Sequence, residues 1–130
     1  MTLRVEVVVP DGEIWSGRAR MVIAKTRDGD IGILTGHPPV LGLLAEGSLV
    51  RILDPEEGTG PVVAAVSSGF LAVADDRVSV LVREAQLGSQ VDTAAAQAVI
   101  AAAEPPPAGE PEPDDVRYSR ALLRAAGERS

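Results

Sequence analysis

The chain has no cysteine, one histidine, and one residue each of phenylalanine, tryptophan and tyrosine among its 130 residues. Missing thiols exclude disulfides, thiolate nucleophiles and cysteine-ligated metals, a composition that suits a reducing compartment. The lone imidazole, His37, has no second histidine with which to hold a metal and no partner set for a Ser-His-Asp arrangement. Neither a catalytic residue nor a metal site nor a cofactor is therefore expected. With so few rings the core must be built from Val, Ile, Leu and Ala, which favours a β-sandwich over a cofactor pocket. Cations are also scarce, 12 Lys and Arg against 19 Asp and Glu, for a net charge of -7. A chain this acidic lacks the basic stripe that tracks phosphates, so nucleic acid is excluded as a partner. No run reaches the roughly 18 apolar residues of a membrane span, and Met1-Thr2-Leu3-Arg4 lacks the basic region and cleavage site of a secretory signal. The expectation is a soluble protein that stays where it is made.

What is present is backbone specification, concentrated in Asp28 to Leu44. Gly29, Gly32 and Gly36 permit positive φ or close approach, while Pro38 and Pro39 fix φ and push their predecessors towards extended conformations. A helix is excluded there. Ile31, Ile33 and Leu34, then Val40, Leu41, Leu43 and Leu44, suit short buried strands joined by a tight turn. The His37-Pro38-Pro39 corner is expected at one end of the β-structure, rigid and partly exposed, with His37 bonded to backbone. Loops fixed by a stiff scaffold are where binding usually resides.

The rest of the first 88 residues reads as strands. Leu3, Val5, Val7 and Val9 alternate with Arg4, Glu6 and Val8, the period of a strand with one buried face. Pro10-Asp11-Gly12 turns the chain into a short strand, Glu13 to Ser16, and Gly17 separates it from another, Arg18 to Thr26. Leu49 to Leu53, Val62 to Val66, Phe70 to Ala74 and Arg77 to Val82 follow, with Asp54 to Pro61 as a solvated hairpin loop and Asp75-Asp76 as a turn. The spacing predicts a mainly β fold, an N-terminal β-sandwich of about ten short strands over residues 1–88, followed by a C-terminal two-helix segment over 89–130.

After Gly88 strand formers give way to alanine. Asp92 or Thr93 caps a helix over Ala94 to Ala103 whose only large apolar side chains are Val99 and Ile100, so its docking is expected to rest on those two and to be weak. Glu104 to Pro113 is a Pro/Glu-rich linker, longer and stiffer than a usual hairpin turn; as continuous polyproline II it would reach about 31 Å, but Ala108-Gly109 is expected to break the rod, and close pairing of the helices is not expected. Asp114 or Asp115 caps a second helix, Val116 to Ala126, with Val116, Leu122 and Leu123 towards one side and Arg117, Arg120 and Arg124 sharing a face. That basic face is either simply solvated or complementary to an acidic protein partner.

Two motif matches fail. Asp28, Asp30 and Gly32 lack the spacing to a terminal Glu that a calcium loop needs. Gly29, Gly32 and Gly36 do not reproduce Gly-x-Gly-x-x-Gly, and no helix follows on which a phosphate could sit.

Several stretches together closely resemble the epsilon subunit of bacterial F-type ATP synthase. They are Glu13-Ile-Trp-Ser-Gly17, Gly29-Asp-Ile-Gly-Ile-Leu-Thr-Gly-His-Pro-Pro-Val-Leu41, Gly47, Val50-Arg-Ile52, Ser68-Gly-Phe-Leu-Ala-Val73 and Val78-Ser-Val-Leu81. The resemblance covers residues 3 to 88. It implies a non-catalytic rotor subunit of the central stalk, whose sandwich grips the gamma subunit and rests on the polar loops of the c-ring. Asp30, Ile31, His37 and Pro38 would lie in the segment facing that ring. By the same resemblance the helices fold against the sandwich or extend towards the alpha/beta catalytic subunits and block ATP hydrolysis. Arg117, Arg120 and Arg124 would then meet acidic loops of the catalytic ring. The implied location is the cytoplasmic face of the bacterial plasma membrane, reached only through the complex. Some members bind ATP through Ile-Asp-x-x-Arg-Ala; here Val91-Asp92-Thr93-Ala94-Ala95-Ala96 keeps Asp92 alone, with alanine in place of the arginine fork. ATP binding is therefore not carried over, and the spacing of Arg124 and Arg129 departs from the family's arginine pair. The alternative to a rotor subunit is a stand-alone β-sandwich module that uses the His37 corner for a small ligand or peptide.

Overall fold

In the computed structural model, which describes residues 2–56 and 60–128, ten strands form two five-stranded sheets and two helices follow. The strands are β1 (Leu3–Val9), β2 (Gly12–Ala19), β3 (Met21–Thr26), β4 (Gly29–Leu34), β5 (Val40–Leu43), β6 (Ser48–Leu53), β7 (Val62–Val66), β8 (Gly69–Ala74), β9 (Arg77–Val82) and β10 (Ala85–Leu87). The first sheet runs β2-β1-β9-β8-β5 and the second β10-β7-β6-β3-β4, all antiparallel except the β1–β9 pair, in which Val5 lies beside Val78 and Val7 beside Val80. The inward faces supply the main core, including Leu3, Val5, Val7, Val22, Ile33, Leu44, Val50, Ile52, Leu71, Val78 and Val80. Residues 57–59 of the expected hairpin loop, and Arg129, lie outside the described residues.

Gly17 does not end a strand. It lies within β2 opposite Val5, and a Cβ there would come 2.9 Å from the Trp15 ring. The glycine makes room for the indole, so β2 continues to Ala19 instead of stopping at Ser16.

The strands of the Asp28–Leu44 stretch fall in different sheets. β4 and β5 are both edge strands, and as in any two-sheet sandwich each turns alternate side chains towards the core and outward. Ile33 and Leu44 are buried, whereas Leu34, Leu41 and Leu43 are exposed, which corrects the expectation of buried strands. Five residues carry the chain from one sheet to the other. His37 N–H donates to the Leu34 carbonyl at 3.1 Å, His37 Nδ1 lies 2.7 Å from the Pro38 carbonyl oxygen, and Gly36 N–H donates to Asp76 Oδ1 at 2.6 Å. Asp75 and Asp76 both take positive φ, 51° and 59°, as a two-residue hairpin requires, and this turn clamps the His37 corner from across the sandwich.

The helices are α1 (Thr93–Ala102) and α2 (Asp114–Glu128). The α1 cap is Asp92, whose carboxylate accepts from Ala95 N–H at 3.1 Å. Val99 is exposed, Ile100 half-buried, and only Ala96 of α1 is buried, so docking does not rest on the two large residues. It rests on α2, where Tyr118, Ala121, Leu122 and Ala125 pack with Leu49, Val63 and Ala65 on the outer face of the second sheet. The linker breaks at Ala108-Gly109 as expected, with Glu110 N–H bonding the Pro107 carbonyl at 3.0 Å and Gly109 at φ +85°, and the chain reversal packs α1 on α2, which corrects the expectation against close pairing. Where the sequence pattern puts Leu123 with Val116 and Leu122, the structure leaves it half-buried at the margin of that cluster.

Candidate functional site

Three surfaces bear the residues singled out above. The first is the lateral side formed by β4 and the His37 corner. Asp30 is exposed and pairs in register with Lys25, on the face that also bears Arg51. Ile31 points the other way, half-buried against the core. His37 is half-buried and Pro38 exposed at the far end of β4, about 13 Å of strand from Asp30. The four residues therefore share an edge strand and its exit, with Ile31 turned inward.

The second surface is the α2 arginine face. None of its three guanidinium groups is idle. Arg117 Nη2 donates to Asp114 Oδ1 at 2.7 Å, Arg120 makes a bidentate pair with Glu112 at 2.7 Å on both arms, and Arg124 Nη2 donates to the Gly47 carbonyl at 3.1 Å. The pair with Arg120 holds the Glu112 carboxyl below its ordinary range. Arg51 forks onto Glu128 at 2.9 Å, fastening the far end of α2 and lowering that carboxyl likewise. The arginines of α2 thus face the sandwich turns and the linker while the helix is docked.

The third is a cavity of about 480 Å³ between the helices and the second sheet, which Asp92, Ala95 and Tyr118 help to line. Five carboxylates border it, from Glu46, Glu84, Asp92, Asp114 and Asp115, against the single guanidinium of Arg83. A triphosphate would meet like charge there, and Asp92 is already spent on the helix cap. Asp92→Ala is expected to destabilise the hairpin by about 1 kcal/mol through the lost cap, while leaving any nucleotide titration unchanged. Thermal unfolding and calorimetric titration check the two halves. No three His, Asp or Glu side chains among the described residues are placed to hold a metal ion, and no described helix is long and apolar enough to cross a membrane.

One feature went unnoticed in the sequence. On the outer face of the first sheet, Leu43 lies opposite Phe70 and Leu41 opposite Ala72, with exposures of 56% for Leu43, 72% for Leu41 and 38% for Phe70. The signal lies in Leu41-Gly42-Leu43, where a glycine between two leucines marks two faces instead of a continuous buried run.

These elements define a β-sandwich that carries a docked C-terminal helical hairpin on one sheet and a bare apolar patch on the other. The family model for the ATP synthase delta/epsilon chain beta-sandwich domain matches residues 2–88, and the chain belongs to that family. Its relatives include the ATP synthase epsilon chain of Thermobifida fusca, 48% identical over 126 residues that span 95% of this chain and 91% of the relative. That of Streptomyces griseus is 45% identical over 95 residues, 73% of this chain and 74% of the relative. Among solved structures, the Euglena gracilis mitochondrial ATP synthase OSCP/F1/c-ring assembly contains a chain with TM-score 0.64 at 20% identity, covering 98% of this chain and 78% of that one. The Tetrahymena thermophila central stalk/c-ring structure gives TM-score 0.57 at 16% identity, with 97% and 91% covered. The structural likenesses show the fold.

Proposed function

We propose that this chain is a non-catalytic rotor subunit of an F-type ATP synthase, joining a gamma subunit to the c-ring at the cytoplasmic face of the membrane. The observation that carries the reading is the asymmetry of the two outer faces. The second sheet is covered by the chain's own α2, while the first presents Leu41, Leu43 and Phe70 uncovered. An apolar patch of that kind on one sheet is the mark of a protein interface. The gamma subunit is its occupant. The β4 edge, with Asp30 at one end and the His37-Pro38 corner at the other, then meets the polar loops of the ring. The clamp from Asp76 supports this use, because a stiff corner transmits torque that a compliant one would dissipate in bending. The helices regulate hydrolysis by leaving the sandwich, which frees Arg117, Arg120 and Arg124 for acidic loops of the alpha/beta ring.

Titration of the full chain into an epsilon-depleted catalytic complex tests the assignment. Leu43→Asp is expected to weaken binding roughly tenfold, since it removes a buried leucine contact and leaves a charge to desolvate. Undiminished binding by that variant would place gamma elsewhere, and no binding by the unaltered chain would remove the rotor assignment itself.

A further inference from the structure

Glu46 lies in the turn between β5 and β6, and the start of α2 closes over that turn. The closure is tight: a Cβ on the next residue, Gly47, would come 2.5 Å from the Arg117 carbonyl carbon. Glu46 Oε2 is shut off from solvent and meets no hydrogen-bond donor. Like charge gathers around it. Glu46 shares the cavity of about 480 Å³ with Glu84 of the β9–β10 turn, Asp92 at the α1 cap, and Asp114 and Asp115 in the first turn of α2. These carboxylates come from both sides of the docking interface, so all five converge only while the helices lie on the sheet. Two cations oppose them, Arg83 from the β9–β10 turn and Arg117 from α2, and Arg117 Nη2 already donates to Asp114 at 2.7 Å. On the other side of the turn the charges are largely matched. Lys25 lies in register with Asp30, Arg51 pairs with Glu128, Arg120 pairs with Glu112, and Arg124 donates to the Gly47 carbonyl, which leaves Arg27.

We propose that Glu46 is a proton latch: with α2 docked it holds a proton that it gives up when the helix leaves, so mild acid fastens the helices to the sandwich. Burial first, and then the charge of Asp114, raise the Glu46 carboxyl above its ordinary 4.5; Arg117 and Arg83 work against them, and Glu84 adds to the rise. Release carries Asp114 and Arg117 away and opens Glu46 to water, which returns the carboxyl towards its ordinary value. Linkage gives the sign. Below 4.5 the proton is bound in both states and its contribution to docking is complete; as the pH rises through the higher docked value, the contribution is lost. Glu128 acts in the opposite sense and at lower pH. Arg51 holds its carboxyl below 4.5, so that anchor is intact above 4.5 and fails as the pH falls through the docked value. Docking is therefore firmest in mild acid and loosens on either side. Where released helices suppress hydrolysis, a fall in pH withdraws the arm; that consequence rests on the proposed function, and the latch does not.

The test uses the isolated full chain, so its failure leaves the rotor assignment standing. Carbon-13 NMR follows the Glu46 carboxyl from about pH 3 to about pH 8, and hydrogen exchange gives protection factors for the α2 amides, with the intrinsic pH dependence of exchange divided out. The expected result is a Glu46 titration above 4.5 and α2 protection that rises severalfold as the pH falls from neutral towards 4.5. Glu46→Gln, uncharged at every pH, should show the higher protection already at neutral pH and lose the dependence over this window. Glu84→Gln should move the Glu46 titration down and Arg83→Ala should move it up, and both side chains are exposed. A carboxyl that only packs the turn would show neither displacement. Ala121→Gln puts a polar side chain into the buried face of α2, and Glu46 should return towards 4.5 as the helix leaves. A Glu46 titration at or below 4.5 in the unaltered chain, α2 protection that does not rise in mild acid, or a rise undiminished in Glu46→Gln overturns the proposal.

Discussion

Replacing Gly47 by alanine is expected to free α2 from the sandwich while the sandwich stays folded. Gly47 sits in the turn between β5 and β6 with φ +64°, where an L side chain costs about 1–2 kcal/mol. The larger effect is steric. A Cβ at this position would lie 2.5 Å from the Arg117 carbonyl carbon and 2.6 Å from its oxygen, which is backbone and cannot rotate aside. Either the turn or the helix must move. The turn is held by Ser48 Oγ donating to the Ala45 carbonyl at 2.7 Å and by Ala45 N–H donating to the Lys25 carbonyl at 2.9 Å, so the helix yields. Moving it breaks the Arg124–Gly47 hydrogen bond and withdraws Tyr118 and Leu122 from Leu49 and Val63. Burial of two such side chains contributes about 3–6 kcal/mol, and losing most of it turns the docked hairpin into a minor state. Trp15, the only tryptophan, packs on the main core and not in the α2 cluster, so it reports the sandwich; its fluorescence should be unchanged while helix amides lose exchange protection. Retained protection would mean the turn yields instead. In the complex, the variant should suppress ATP hydrolysis more strongly than the unaltered chain, because the arm is already released.

Most of the sandwich is legible because its strands alternate. β1 shows its buried face residue by residue, and the Asp75-Asp76 turn is announced by two residues that tolerate positive φ. The docking of α2 was also written in the chain, in a less familiar form. Val62-Val-Ala-Ala-Val66 does not alternate, and a strand without a polar face is covered on both sides. Val62, Ala64 and Val66 serve the main core while Val63 and Ala65 receive the helix. Val99 and Ile100 of α1 are the larger residues but take little part in docking. Ala121 and Ala125 provide close approach beside Tyr118 and Leu122, so much of the docking face is small residues that carry little hydrophobicity of their own. Which sequence-distant side chains converge was not legible. Gly47 and Arg117 lie 70 positions apart, and nothing local to either marks the contact.

Raising the pH should weaken the docking of α2 between about pH 10 and pH 12. Tyr118 is 8% exposed, and its phenol is pushed up to about 12 from an ordinary 10.0, first by burial and then by the charge of Glu84. A neutral phenol is what the docked state accommodates. Below pH 10 neither state ionises and the docking free energy is complete. As the pH rises past 10 the released helix ionises first, so proton loss favours release, and the contribution disappears as the pH passes the docked value of about 12. At about 1.4 kcal/mol per unit, the shift is worth about 2–3 kcal/mol, comparable with the burial of one large side chain. The arginine anchors remain charged throughout this range, so the change belongs to the phenol. Tyr118 is the only tyrosine, and the ultraviolet absorbance of its phenolate therefore reads this one group. The full chain should titrate near 12 and the Gly47→Ala variant near 10. Tyr118→Phe keeps the ring between Leu49 and Leu122 and should abolish the alkaline loss of helix protection. A phenol that titrates at its ordinary value in the unaltered chain would show that α2 spends most of its time off the sandwich.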